Sequence, residues 1–224
     1  MDGNGRWAEA RRRPRSFGHR AGVETVRRIV EDASEIGIRT LTLYSFSTEN
    51  WTRPKAEIAA LMALMKEYIE GDLARLTREG VRIRILGTRD GLSNDILSLI
   101  TQAETRTAQN TDFNLNIAFN YGGRDEIIRA IRRAAASGAD LSQLKESQFS
   151  GFFDTIGQPD PDLVVRTSGE KRISNFLLWQ AAYAEFVFTD TLWPDFRREH
   201  LIAALDEFTA RDRRFGAATT SEVA

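Results

Sequence analysis

The sequence has 224 residues, of which 42% are hydrophobic and 28% charged; this suffices for one sizeable core and excludes a disordered or collagen-like chain. With 31 Lys and Arg against 32 Asp and Glu the net charge is -1, so no basic footprint points to nucleic acid. The absence of cysteine excludes a disulfide framework, a thiolate nucleophile and Cys-ligated metal centres, and His19 and His200 alone are too few for a multi-histidine site.

Asp2-Gly-Asn-Gly-Arg-Trp7 reads as a Gly-rich loop. It fits a dinucleotide fingerprint only superficially, because no strand precedes it and Arg6 and Trp7 are bulky where pyrophosphate needs close backbone approach. From Gly22, Val23, Val26, Ile29, Val30, Ala33 and Ile36 recur at three- and four-residue steps, which predicts an amphipathic helix stopped at Gly37. Ile38 to Phe46 changes to a period of two and predicts a buried strand, followed by the polar run Ser47-Thr-Glu-Asn-Trp-Thr-Arg53. A helix from about Pro54 to Glu79 carries a broad apolar band that suits a core or the wall of a greasy channel. Val81 to Ile85 predicts a strand with a wet face or near the sheet edge, and another helix starts near Ser93. Leu115, Ile117 and Phe119 predict a strand that runs into Asn120-Tyr-Gly-Gly-Arg124 and a helix ending near Gly138. Leu163 to Val165 and Phe186 to Phe188 predict two short strands separated by a polar loop from Arg166 to Ser174, and helical spacing returns at Leu201, Leu205 and Phe208. The reading is one domain over residues 1–216, with a disordered tail over 217–224.

Strands alternating with helices predict an α/β fold with a single open, mostly parallel sheet flanked by helices. Ligands of such sheets sit beyond the carboxyl ends of the strands, where the polar clusters fall. Glycine-rich backbone and the guanidinium forks of Arg6, Arg15, Arg53, Arg166 and Arg172 suit phosphate oxygens, although each arginine taken singly reads as a solvated surface residue. Asp2 and Glu185 are the carboxylates suited to Mg²⁺, with a capping or helix-surface role as the alternative for each. His19 is a pre-helix polar residue or a phosphate ligand, and Trp7 and Trp51 are core anchors or lids. No Walker loop occurs, and no Ser–His pair supports a hydrolase triad. No run of about 18–20 apolar residues and no signal peptide is present, so the expected location is the cytoplasm, with peripheral contact at the inner membrane open to an enzyme of amphiphilic substrates.

Taken together, MDGNGRWA, Arg15-Ser-Phe-Gly-His19, SFSTENWTRP from Ser45, NYGGR from Asn120, RTSGEKRISNFLLWQ from Arg166, Ala-Tyr-Ala-Glu185, LWPDF from Leu192 and Arg-Phe-Gly216 closely resemble the cis-prenyltransferases. The resemblance implies an apolar tunnel and Mg²⁺-dependent condensation of isopentenyl diphosphate onto an allylic diphosphate such as farnesyl diphosphate, in a homodimer. It places Asp2 on the metal with Glu185 as a second contact. Gly3, Asn4, Gly5, Arg6, Arg15 and His19 fall on the allylic diphosphate, with Trp7 beside them. Arg166, Arg172, Ile173 and Ser174 fall on isopentenyl diphosphate. Asn50 matches the position that accepts the lost proton, and because an amide is a poor base it reads as a positioner; Ser47, Thr48, Glu49, Trp51 and Arg53 complete its wall. Arg214 and Gly216 match a motif that reaches across the dimer.

Family members carry a short apolar strand before the Met-Asp-Gly-Asn-Gly motif, and here the sequence begins at Met1. Small Ser45 favours a long, C55-type product of the kind used as a cell-wall lipid carrier, while Phe113 matches a tunnel-floor position that would shorten it. The competing expectations are a non-catalytic partner subunit of a heteromeric prenyltransferase and a sugar- or nucleotide-phosphate enzyme on a similar sheet.

Overall fold

The computed structural model describes residues 1–211; the Arg214/Gly216 motif and the 217–224 tail lie outside them. In chain order the elements are α1 (Asn4–Ala10), α2 (Arg15–Ile36), β1 (Thr40–Ser47), α3 (Lys55–Arg78), β2 (Val81–Leu86), α4 (Asn94–Thr107), β3 (Phe113–Tyr121), α5 (Gly123–Ala136), the single turn α6 (Glu146–Phe149), β4 (Leu163–Arg166), β5 (Glu185–Phe188) and α7 (Arg198–Thr209). The class, the parallel pairing and the flanking helices match expectation.

Two local differences have steric causes. The Asp2–Trp7 segment is mostly the short helix α1, capped by Gly3 in the left-handed region at φ 102°, rather than a loop. Helix α2 starts seven residues before Gly22, because its glycines are sites of close approach rather than breaks: a Cβ at Gly18 would lie 1.9 Å from the Asn4 carbonyl, and one at Gly22 2.5 Å from Asn4 Oδ1. Helix α1 therefore lies tight on α2 and fixes Asn4 and Gly5 beside Arg15 and His19.

The parallel strands form two ladders instead of one: a sheet in the order β1-β3-β2 and a separate pair β4-β5. Between them the Met1–Gly3 segment is tied to loops rather than paired as a strand. The Asp2 N–H donates to Thr167 Oγ1 at 2.9 Å, and the Asp2 carbonyl accepts from that hydroxyl at 2.9 Å and from Trp193 N–H at 2.9 Å. The core lies between the sheet and helices α2, α3 and α4, built on Ile29, Val30, Phe46, Leu73, Leu76, Ile100, Leu115 and Phe119. On β1 the register slips around Ser45 and again before Ser47, a local irregularity that turns the strand end towards the polar rim.

A half-buried ionic knot anchors the 150s loop. Asp154 accepts from Arg129 Nη1 and Nη2 at 2.7 and 2.8 Å, from Arg133 at 2.9 Å and from Gly87 N–H at 2.9 Å. Burial opposes ionisation of Asp154, but the Arg129 hydrogen bonds and charge, with the Gly87 amide, hold its pKa below the usual value. Asp154→Ala removes one of the two carboxylates paired with Arg129, Asp125 remaining at 2.7 Å, and leaves the Gly87 amide unpaired; it should cost about 1–3 kcal/mol, a fall in Tm of about 5 °C. Because the folded pKa is depressed, this stabilisation is complete above the unfolded value of about 3.9 and is lost as pH falls through the folded value. The Tm difference between wild type and Asp154→Ala should therefore be full above about pH 4 and shrink only as pH falls through the depressed folded value.

Candidate active site

At the carboxyl ends of β1 and β4 opens a cavity of about 930 Å³. Its lining is mixed, with polar residues at the strand ends and an apolar wall of Val23, Val26 and Ile29 of α2, Leu61, Leu64, Met65 and Ile69 of α3, and Leu43, Ile117 and Phe119 of the sheet. The mouth brings together Asp2, Gly3, Asn4, Gly5, Arg6, Arg15, His19, Ser47, Asn50, Arg53, Arg166, Arg172, Ile173 and Ser174. Residues separated by more than 160 positions thus share one rim, because α1 is tied to the loop after β4.

Arg166 is the hinge of the rim. Its Nη2 donates to Asp2 Oδ2 at 3.1 Å and its Nη1 to Ser174 Oγ at 2.7 Å and to the Arg172 carbonyl. Asp2 Oδ1 accepts from Gly3 N–H at 2.7 Å. Burial opposes ionisation of Asp2, yet the Arg166 hydrogen bond, the Gly3 amide and nearby positive charge hold its pKa below the ordinary carboxyl value. Arg6 reaches Ser168 through both its hydroxyl and its carbonyl and lies 3.4 Å from Glu170, while Arg172, 64% exposed, pairs with Glu170.

The opposite wall is organised by Glu57, an acid in the first turn of α3. Its Oε1 accepts from Arg53 Nη1 at 3.0 Å and stands 3.4 Å from His19 Nε2, and its Oε2 is 3.7 Å from Arg15 Nε. Arg15 in turn lies over Gly5, where a Cβ would meet its Cζ at 2.7 Å. Burial is the largest influence on His19 and lowers its pKa against the pull of Glu57. Asn50 caps the short 3-10 turn Thr48–Thr52: its Oδ1 accepts from Ser47 N–H at 3.1 Å, which holds its amide at the rim.

Five expected site residues lie apart from the cavity lining. Trp7 donates its indole N–H to Asp195 Oδ1 at 2.7 Å and stacks on Phe17, so it anchors α1 from outside. Trp51 likewise donates to Asn120 Oδ1 at 2.7 Å, and Thr48 and Glu49 face the loop around Asn175. Glu185 requires a correction within one chain. It pairs with Leu163 at the start of the β4-β5 ladder, three residue steps or about 10 Å below the level of Arg166, and its Oε2 is taken by Arg211 at 2.7 Å. The carboxylates Asp2 and Glu185 therefore do not converge. Phe113 is buried but is not among the cavity-lining residues, whereas Ser45 is.

Sequence reasoning missed Glu57 and Thr167. Glu57 was detectable as an acid four residues after Arg53 at a helix start; Thr167, between Arg166 and Ser168 in the polar run after β4, carried no signal of its own. Among the described residues no group of three or more His, Asp or Glu is placed to hold a metal, and no helix is long and apolar enough to cross a membrane.

Comparisons with known proteins show the family. The family model described as putative undecaprenyl diphosphate synthase matches residues 1–216. An isoprenyl transferase of Rhizobium meliloti is 54% identical, with all of this chain and 92% of the relative covered, and one of Brucella suis is 56% identical, with 96% and 87% covered. Among solved structures, lavandulyl diphosphate synthase from Lavandula x intermedia in complex with dimethylallyl diphosphate superimposes with a TM-score of 0.92 at 33% identity, covering 96% of this chain and 95% of that one. A probable undecaprenyl diphosphate synthase from Campylobacter jejuni gives 0.80 at 36% identity, covering 88% and 92%. A match that extends over nearly the whole chain, with the arginine-lined rim and the apolar cavity beneath it, means that the chain belongs to the undecaprenyl diphosphate synthase family of prenyltransferases.

Proposed function

We propose that the chain condenses isopentenyl diphosphate onto an allylic diphosphate, with farnesyl diphosphate as starter, to build a long-chain cis-polyprenyl diphosphate of the C55 type for cell-wall assembly. The observation that carries this reading is the Asp2–Arg166 contact at the mouth of the cavity: an anion-binding rim directly above an apolar hollow fits a substrate with a diphosphate head and a hydrocarbon tail. The complex of the lavender relative with dimethylallyl diphosphate, an allylic diphosphate, supports the substrate class.

In the reaction the allylic C–O bond breaks and its electron pair leaves with diphosphate. The isopentenyl double bond supplies the electrons of the new C–C bond, and a proton leaves the adjoining carbon. Arg6, Arg15 and Arg53 stabilise the charge that grows on the leaving diphosphate, an interaction stronger in the transition state than in the ground state. Arg166, Arg172 and Ser174 hold the second diphosphate. Asn50, fixed by Ser47, orients the carbon that loses its proton, which passes to released diphosphate or water. The apolar depth shields the allylic cation from water and receives the growing chain.

The chemistry at Asp2 fits a Mg²⁺ bound by one carboxylate and by substrate oxygens, as this ion requires few protein ligands. Such an ion supplies charge neutralisation at the departing oxygen. The fit does not extend to Glu185 of the same chain. A homodimer belongs to the same reading, and the water-soluble substrates and lipid product support work in the cytoplasm with transfer at the membrane surface.

Radiolabelled isopentenyl diphosphate, farnesyl diphosphate and Mg²⁺ should yield butanol-extractable label that EDTA abolishes; absence of label with Mg²⁺ would favour a non-catalytic partner subunit. Light scattering checks the dimer. Val26→Phe adds bulk to the α2 wall at a strain cost of about 1–3 kcal/mol and should shift products to shorter chains. An unchanged length distribution would place the tail outside this cavity.

A further inference from the structure

The Asn120–Arg124 turn is a polar cluster at the strand ends that contributes no residue to the cavity, and what it touches explains its composition. Gly123 N–H donates to the Asn175 carbonyl at 2.7 Å, and Arg124 N–H donates to Asn175 Oδ1 at 2.9 Å. A Cβ at Gly122 would lie 2.8 Å from Asn175 Nδ2 and 2.6 Å from Thr48 Oγ1, so the glycine leaves room for both. The remaining donor of Asn175, Nδ2, reaches Glu49 Oε1 at 2.6 Å. Burial opposes ionisation of Glu49, but the hydrogen bond from Asn175 and others keep its pKa below the usual value, so the acceptor is a carboxylate. Ser174 and Asn175 hold φ angles of 48° and 61°, a left-handed backbone that Asn tolerates and that is uncommon for Ser.

We propose that Asn175 is a positioning residue: clamped on the rigid β3–α5 corner, it holds the adjoining Ser174 in the geometry that grips isopentenyl diphosphate, and through Glu49 it locks that loop to the turn carrying Asn50. This rests on the function proposed above. The turn with two glycines is thus the seat of a loop rather than a phosphate cradle, and the two halves of the rim are set by one side chain.

The test exploits donor and acceptor polarity. Asn175→Asp keeps the acceptor for Arg124 N–H but opposes a carboxylate to Glu49; Glu49→Gln in that background supplies a donor and restores the bond with its direction reversed. Wild type, Asn175→Asp, Glu49→Gln and the double variant are compared for KM of both substrates, kcat and Tm. Asn175→Asp should raise KM for isopentenyl diphosphate by about tenfold or more and leave KM for the allylic substrate within about twofold, with the double variant recovering most of the loss relative to Glu49→Gln. An unchanged KM for isopentenyl diphosphate in Asn175→Asp, equal rises in both KM values, or loss that follows Tm without recovery in the double variant would each overturn the positioning role. Wild-type turnover in the same assay keeps the two readings separate, since an inactive wild type sinks the proposed reaction itself.

Discussion

Asp2→Ala should lower kcat by about 10²- to 10³-fold while Tm stays within about 3 °C of wild type. The backbone of Asp2 is held independently of its side chain, by the Thr167 hydroxyl and the Trp193 amide, so removing the carboxylate leaves the segment in place. What disappears is the negative charge beside Arg166 and a carboxylate placed to share a metal with substrate oxygens. Asp2→Asn separates charge from shape. It keeps an oxygen for the Gly3 amide, so equally poor turnover assigns the effect to charge, whereas near-wild-type turnover would remove Asp2 from the chemistry. The pH dependence has a defined sign. Because Arg166 and the Gly3 amide depress the pKa despite burial, the carboxylate stays ionised above about pH 4 and its contribution is lost only as pH falls through the depressed value. An inflection in kcat near neutrality would therefore belong to another group, and in Asp2→Asn the acid limb should vanish.

Most of the fold was legible because its strands and long helices bury one face, and burial imposes a period. Residues Val26, Ile29, Val30 and Ala33 of α2 and the alternation Val81, Ile83, Ile85 of β2 occupy the core as their spacing required. The first turns of α2 were hidden because its contact with α1 is made by missing side chains: glycines that read as breaks are where Asn4 presses on the helix. The division of the sheet was also hidden, since hydrogen-bonding strand edges leave no mark on hydropathy. In the site, residue type announced the arginines but not their partners. Trp7 and Trp51 could be lids or anchors by type, and only Asp195 and Asn120, distant in sequence, decide for anchors. The place of Glu185 within one chain was hidden for a similar reason: a short strand has a top and a bottom, and the Leu163–Glu185 register, not the local sequence, puts the carboxylate at the bottom.

Arg166→Ala is expected to raise KM for isopentenyl diphosphate by about 10- to 100-fold and to lower kcat as well. Both effects follow from one guanidinium serving two masters. Nη1 ties Ser174 and the Arg172 carbonyl, so its loss frees the loop that holds the second diphosphate. Nη2 orients Asp2, so its loss also releases the carboxylate on the allylic side. Arg166→Lys decides whether charge or shape is needed. An ammonium restores the positive charge but cannot donate in two fixed directions, so it can satisfy Ser174 or Asp2 but not hold both at the present spacing. Lysine should consequently recover less than about a tenth of the lost kcat/KM, and the residual defect should appear with either substrate limiting, because the two diphosphate sites meet at this side chain. Full recovery with lysine would reduce Arg166 to a point charge, and a defect seen only with the allylic substrate limiting would move it to the other site. Quantifying both KM values in the same variants distinguishes these outcomes from the Asn175 series, in which the allylic site is expected to remain intact.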